Sequence, residues 1–127
     1  LENNIKIFDA VSHSELNSYY ENYNIYLNFS ETALDKSVLE AMSTGIPILS
    51  CNDCLIEIIN DDNLKDLITF DKCDNSNIIS SKIKKLINLS SDEFEKYCKR
   101  SNLFIKSNHS IESLTNTIVD NIFNDIV

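Results

Sequence analysis

The spacing of apolar positions changes several times along the chain, and each change marks an element. Ile5-Lys6-Ile7-Phe8 reads as a strand. Ser12 stands where a helix N-cap belongs, with Glu15 three residues on as its capping-box partner. Leu16, Tyr19, Tyr20 and Tyr23 then recur at helical spacing, and Ile25 to Phe29 reads as a second strand. A helix is predicted from about Leu34 to Thr44, stopped by Gly45 and Pro47. Ile46 to Leu49 is a short third strand, apolar throughout except for Pro47, as a buried parallel strand should be. Cys54 to Asn60 reads as a short helix and Leu67-Ile68-Thr69-Phe70 as a fourth strand.

From Ile78 to Asp125 the pattern is helical only. Ile79, Ile83, Leu86 and Ile87 form one apolar face. Phe94, Tyr97, Cys98, Leu103, Phe104 and Ile105 belong to a second helix. Ser110 caps a third, which carries Ile111, Leu114, Ile118, Ile122 and Phe123. The order βαβαβαβ followed by helices predicts an α/β fold. Its parts are a parallel Rossmann-like sheet with flanking helices, in βα repeats over about 4–70, and a helical C-terminal tail over about 76–126. The 127 residues suit one domain, and no internal repeat or linker stands out.

In such sheets ligands gather at the carboxyl ends of strands, where helix N-termini point. The second strand leads into Ser30-Glu31-Thr32-Ala33-Leu34-Asp35-Lys36-Ser37, the most polar junction in the chain. Backbone N–H groups from Asp35 to Val38 would there form an anion site. The chain has one Gly, so neither a Walker A loop nor a dinucleotide fingerprint is present.

Charge and composition remove several function classes. The net charge is −9, and the lysines are scattered. The densest cluster, Lys82, Lys84 and Lys85, reads as a solvated helix face. No basic stripe exists for a phosphate backbone, so a nucleic-acid partner is not expected. No apolar run approaches the roughly 18 residues of a membrane span, and no signal-peptide pattern is seen. The chain opens on Leu1 rather than Met, so it need not start where its gene starts. It holds 17 Asn and 18 Ile but a single Arg, Arg100, a bias that weakens any argument from Asn-rich segments. The sequons at Asn28, Asn88 and Asn108 are what such a composition yields by chance. Cys51 and Cys54 form a lone CxxC, and Cys73 and Cys98 have no partners at metal-ligand spacing. The four read as reduced thiols of a cytoplasmic protein, with no metal and no cofactor expected. His13 and His109 lie by helix starts and read as capping neighbours or surface residues.

The segment Ser30 to Ser50 carries Val38-Leu39-Glu40-Ala41-Met42, then Gly45-Ile46-Pro47. It resembles the nucleotide-sugar signature of retaining GT-B glycosyltransferases, the family 4 or group 1 class. Asp9 to Leu16, Tyr19-Tyr20 with Asn24 to Leu27, and Glu57-Ile58-Ile59 are similar to flanking pieces of that family. The resemblance covers about residues 5–126 and implies a partial C-terminal nucleotide-sugar-binding domain over 1–127.

In the family two Glu bracket this loop. The second matches Glu40, which by resemblance binds the ribose hydroxyls, a role suited to a carboxylate that accepts two hydrogen bonds. The first should fall at Thr32, and Glu31 stands one step earlier. A branch of the family has Asp-Lys just before the Leu-Glu-Ala-Met run. By that likeness Leu34, Asp35, Lys36, Ser37 and Val38 join the donor site, with Lys36 as a diphosphate contact. Lys36 and Glu40 are also four apart on one helix and can form a plain surface pair. Leu34, Val38, Leu39 and Met42 read as core-facing.

The family's acceptor domain and its Arg/Lys diphosphate clamp lie upstream of this region, and Lys6 is the only Lys or Arg before Ser30. The chain is therefore expected to be part of a larger transferase and inactive alone. The resemblance implies a UDP- or GDP-type sugar donor, a glycan or lipid-linked acceptor and a role in surface glycan synthesis. It also implies a cytoplasmic setting that includes the inner membrane face, and it identifies no catalytic residue. The alternatives are a related GT-B enzyme such as an epimerase, or a non-catalytic α/β interaction module.

Overall fold

A computed structural model of the chain describes residues 6–31 and 33–124. The elements in chain order are α1 (His13–Glu21), β1 (Tyr26–Asn28), α2 (Lys36–Thr44), β2 (Ile48–Ser50), α3 (Asp53–Ile58), α4 (Asp62–Ile68), α5 (Ser76–Ile87), α6 (Ser91–His109) and α7 (Ile111–Asn124). The fold is α/β, mostly helical, with a small parallel sheet. Tyr26, Leu27 and Asn28 pair with Ile48, Leu49 and Ser50, and a single parallel bridge adds Thr69 beside Ser50.

Two predicted strands are corrected. Leu67 and Ile68 end α4 instead of forming a strand. Asp61 caps that helix by accepting from the Asn63 and Leu64 N–H groups, both at 3.0 Å. Leu64 and Ile68, a helical turn apart, are both fully buried. Only Thr69 and Phe70 reach the sheet, the Phe70 N–H donating to the Ser50 carbonyl at 3.1 Å. At the start of the chain, Lys6 to Phe8 forms no strand among the described residues, and Ile5 lies outside them. A strand needs a ladder for its backbone groups. Ile7 is instead 95% exposed, and Phe8 leans edge-on against Tyr19 at 5.5 Å.

The helix signals held closely. The Glu15 carboxylate accepts from the Ser12 N–H at 3.1 Å and its hydroxyl at 2.6 Å, opening α1. In α2 the buried Val38, Ala41 and Met42 follow helical spacing. Full burial of a Val or Met side chain contributes about 1.5–3 kcal/mol. The helix ends at Gly45, whose φ of 84° is the left-handed cap conformation. In β2 every residue is buried. Ile48 joins the larger core with Val38, Met42, Leu55 and Tyr97, while Leu49 and Cys51 join a second one with Phe70 and Leu86.

The tail forms α5, α6 and α7 as expected, and α6 lies along α2. The Tyr97 hydroxyl, buried in that contact, donates to the Ile46 carbonyl at 2.7 Å. Burial pushes its pKa up to about 12. Of the apolar stripe of α7, Ile111, Leu114 and Ile118 are exposed. The side chains of Ile122 and Phe123 lie outside those described. Among the described residues no helix is long and apolar enough to cross a membrane.

Candidate functional site

The carboxyl ends of β1, β2 and the Thr69 bridge lie side by side, and the loop from Phe29 to Asp35 leaves them for α2. A continuous hydrogen-bond network underlies this loop. The Tyr26 and Ser37 hydroxyls share a bond of 2.7 Å, and the Ser37 hydroxyl donates to Asp35 Oδ1 at 2.7 Å. Asp35 Oδ2 accepts from Asn28 Nδ2 at 3.0 Å, and Asn28 Oδ1 accepts from the Ser50 hydroxyl at 3.0 Å. Ser50 Oγ accepts the Asn52 N–H at 3.1 Å. Asn52 then caps α3 by accepting from the Leu55 N–H at 3.0 Å, while its Nδ2 donates to the Ser30 carbonyl at 3.2 Å. Asn28, Ser50 and Asn52 are all buried, so their mutual pairing removes what would be a large desolvation cost. Burial also removes Asn28 as a glycan acceptor.

The sequence-predicted residues fall into distinct places. Asp35 is the N-cap of α2 and takes the Ser37 N–H at 3.0 Å, while its carbonyl takes the Val38 N–H at 3.1 Å. The helix start expected to hold an anion is thus capped from within the chain at these two positions. Lys36 projects into solvent, its side chain 83% exposed, with its ammonium 3.6 Å from Glu40 Oε1. Glu40 is partly shielded beside Tyr20, whose pKa is raised by burial first and then by Tyr26, Glu40 and Asp35. Val38 is fully buried and Leu34 packs against the core, so both contribute packing. Glu31 is exposed, and Thr32 lies outside the described residues.

A second charged group stands on the other side of the loop, and it was not legible in the sequence. Lys72, just past the Thr69 bridge, donates to Asp53 at 2.6 Å. That bond raises the Lys72 pKa; partial desolvation opposes it, and nearby Asp53, Glu31 and Cys51 add to it. Glu31 therefore sits within electrostatic reach of Lys72 and Cys51. Asn28, Ser50 and Asn52 were missed too. Their one sequence signal is a polar residue at the end of a buried apolar strand. Arg100 is instead engaged with Asp61, joining α6 to the start of α4.

The four cysteines are free thiols, and burial pushes Cys51 and Cys98 up from the ordinary thiol value. Among the described residues no group of His, Cys, Asp and Glu could hold a metal ion. A cleft of 310 Å³ lies at the far end of α2, between Tyr23, Gly45, Pro47 and Phe94. The arrangement at the carboxyl end can offer a carboxylate to a diol through Glu40 and an ammonium to an anion through Lys36. Among the described residues it presents no paired nucleophile and base. Comparison with family models, with curated proteins and with solved structures finds no match to this chain.

Proposed function

We propose that this chain carries the nucleotide-binding part of a retaining glycosyltransferase, which moves a sugar from a nucleoside-diphosphate donor to an acceptor hydroxyl. The carrying observation is the placement of the segment Val38-Leu39-Glu40-Ala41-Met42, Gly45-Ile46-Pro47. It forms the helix and turn between two adjacent parallel strands, with Glu40 one turn in from the helix start at the carboxyl end of β1. Parallel sheets bind ligands at that end. Glu40 would accept both ribose hydroxyls. A diphosphate would draw the exposed Lys36 ammonium away from Glu40, since their 3.6 Å surface contact is worth at most about 1 kcal/mol. The acceptor, a glycan or lipid-linked sugar, would be held by another domain of the same enzyme. Rate acceleration would rest on orienting the diphosphate leaving group and stabilising its charge.

Calorimetric titration with UDP- and GDP-sugars tests this reading. Saturable binding is expected, weakened at least tenfold by Glu40→Ala. Absence of binding to both nucleotide classes would sink it.

A non-catalytic interaction module is the second reading. It is favoured by the pairing of the charged groups with one another, Lys36 with Glu40 and Lys72 with Asp53. Binding that is unchanged in Glu40→Ala would favour it.

A further inference from the structure

We propose that Asn28 and Asn52 are positioning residues that pin the two ends of the donor-binding loop, an inference that rests on the nucleotide-sugar reading above. The loop between β1 and α2 is held at its start through the Ser30 carbonyl and at its end through the Asp35 carboxylate. The first hold is a bond of 3.2 Å from Asn52 Nδ2, and the second a bond of 3.0 Å from Asn28 Nδ2. Between these pins stands the exposed Glu31, which the family resemblance assigns to the donor.

The chemistry settles which way each amide faces. An ionised carboxylate only accepts, so the Asn28 atom toward Asp35 is the NH₂ group, and its oxygen is left to accept from Ser50. A backbone carbonyl only accepts and a backbone N–H only donates. Asn52 therefore presents NH₂ to Ser30 and its oxygen to Leu55. Each amide does two jobs with two different atoms. The oxygen of Asn28 ties β1 to β2, and that of Asn52 caps α3, which are matters of folding. The nitrogens serve the loop. Both amides are buried, and Ser50 links them, its hydroxyl donating to Asn28 and accepting the Asn52 N–H. The two pins thus form one rigid unit beneath the strand ends, which is the support a binding loop needs to hold its groups in place.

Isosteric Asn→Asp changes separate the two jobs. Asn28→Asp keeps an acceptor for Ser50 and replaces the donor to Asp35 with a carboxylate that repels it. Asn52→Asp keeps the α3 cap, since Asp caps as well as Asn, and loses the donor to Ser30. Asn28→Ser and Asn52→Ser serve as uncharged counterparts should a buried carboxylate prevent folding. The experiment titrates UDP and GDP into the wild-type protein and each variant. Circular dichroism gives the folded fraction, and amide exchange is followed at Glu31 and Ala33. In the folded fraction we expect at least tenfold weaker nucleotide binding and faster exchange at Glu31 and Ala33, with exchange in α2 and α3 unchanged. A role in folding alone would lower the unfolding midpoint and leave the affinity of the folded fraction unchanged. That outcome overturns the inference while the functional reading stands. A wild-type protein that binds neither nucleotide overturns both.

Discussion

The hydroxyl of Tyr97 donates to the carbonyl of Ile46 at 2.7 Å, across 51 residues of sequence. It joins the middle of α6 to the turn between α2 and β2. Tyr97 is buried, so both partners would be stranded without each other. Tyr97→Phe leaves the ring in place and the Ile46 carbonyl without this donor. The expected loss is about 1–3 kcal/mol. Tyr97→Ala adds a cavity and should cost about 3–5 kcal/mol. Urea unfolding checks both, and an unchanged midpoint in Tyr97→Phe would remove this contact from the account of stability.

Gly45 offers a cleaner test of backbone conformation. Its φ is 84°, and an added Cβ would meet only Cys98 Sγ at an ordinary 3.6 Å. The cost of a side chain here is conformational and not steric crowding. Gly45→Ala should destabilise by about 1–2 kcal/mol. Gly45→Asn should cost less, because Asn tolerates the left-handed region, and Gly45→Val should cost most. Thermal melts should rank the losses Gly45→Asn, Gly45→Ala, Gly45→Val from smallest to largest.

The lone arginine is committed to the fold. Arg100 reaches Asp61 Oδ2 at 2.6 Å, while Asp61 also caps α4. Partial burial pushes the Asp61 carboxyl up, but the Leu64 N–H and the Arg100 guanidinium outweigh it and hold the pKa below the ordinary value. Asp61→Ala loses the cap and the ion pair, for about 1–2 kcal/mol. Arg100→Ala loses the pair alone, which at this half-exposed position is worth at most about 1 kcal/mol. A double-mutant cycle should return a coupling of a few tenths to 1 kcal/mol, and zero coupling would make the pair incidental.

These cases show why helices were easier to read than the sheet. Ser12 with Glu15, and Gly45 with Pro47, act within one turn of the chain, so their meaning is local. Lys6 to Phe8 and Leu67 to Phe70 have strand-like composition, but a strand depends on what pairs with it. In the second case the Asp61 cap six residues upstream decided for helix. Periodicity likewise told that α7 is two-faced without telling what covers it, and Ile111 and Leu114 stand exposed. In the candidate site, Asp35, Lys36 and Glu40 were legible because they sit in one motif. Asn28, Asn52 and Lys72 were not. Their partners lie 7 to 22 residues away. Among 17 Asn, moreover, Asn28 drew notice only as a chance sequon and Asn52 drew none.

The cysteines should separate by burial. Cys73 is exposed and Cys54 partly so, whereas Cys51 is buried and Cys98 packs against Gly45. Burial also raises the thiol pKa of Cys51 and Cys98, which lowers their reactive thiolate fraction. Iodoacetamide at neutral pH should modify Cys73 first and Cys54 next. Cys98, half-buried and with its thiol pushed up, should follow more slowly, and Cys51 should react only after unfolding. Mass spectrometry of a labelling time course reads the order, and early modification of Cys51 would contradict the packing of the second core.

His109 gives the stability a pH dependence of known sign. Its ring sits edge-on to Phe104 at 5.2 Å, and its Nε2 is buried with no hydrogen-bond partner among the described residues. Burial lowers its pKa from the ordinary value of 6.5. The unfolded chain therefore binds a proton at His109 more readily than the folded one. The stabilisation is whole above the ordinary histidine range and is lost as pH falls from there through the lowered folded value. Asp61 adds a loss of the same sign at more acid pH, because its pKa too is lowered in the fold. The urea midpoint should thus fall between pH 7.5 and pH 5.5. His109→Gln should flatten that part of the curve, while His13→Gln serves as the comparison for the other histidine. A midpoint as steep in His109→Gln as in the wild type would move the origin of the effect elsewhere.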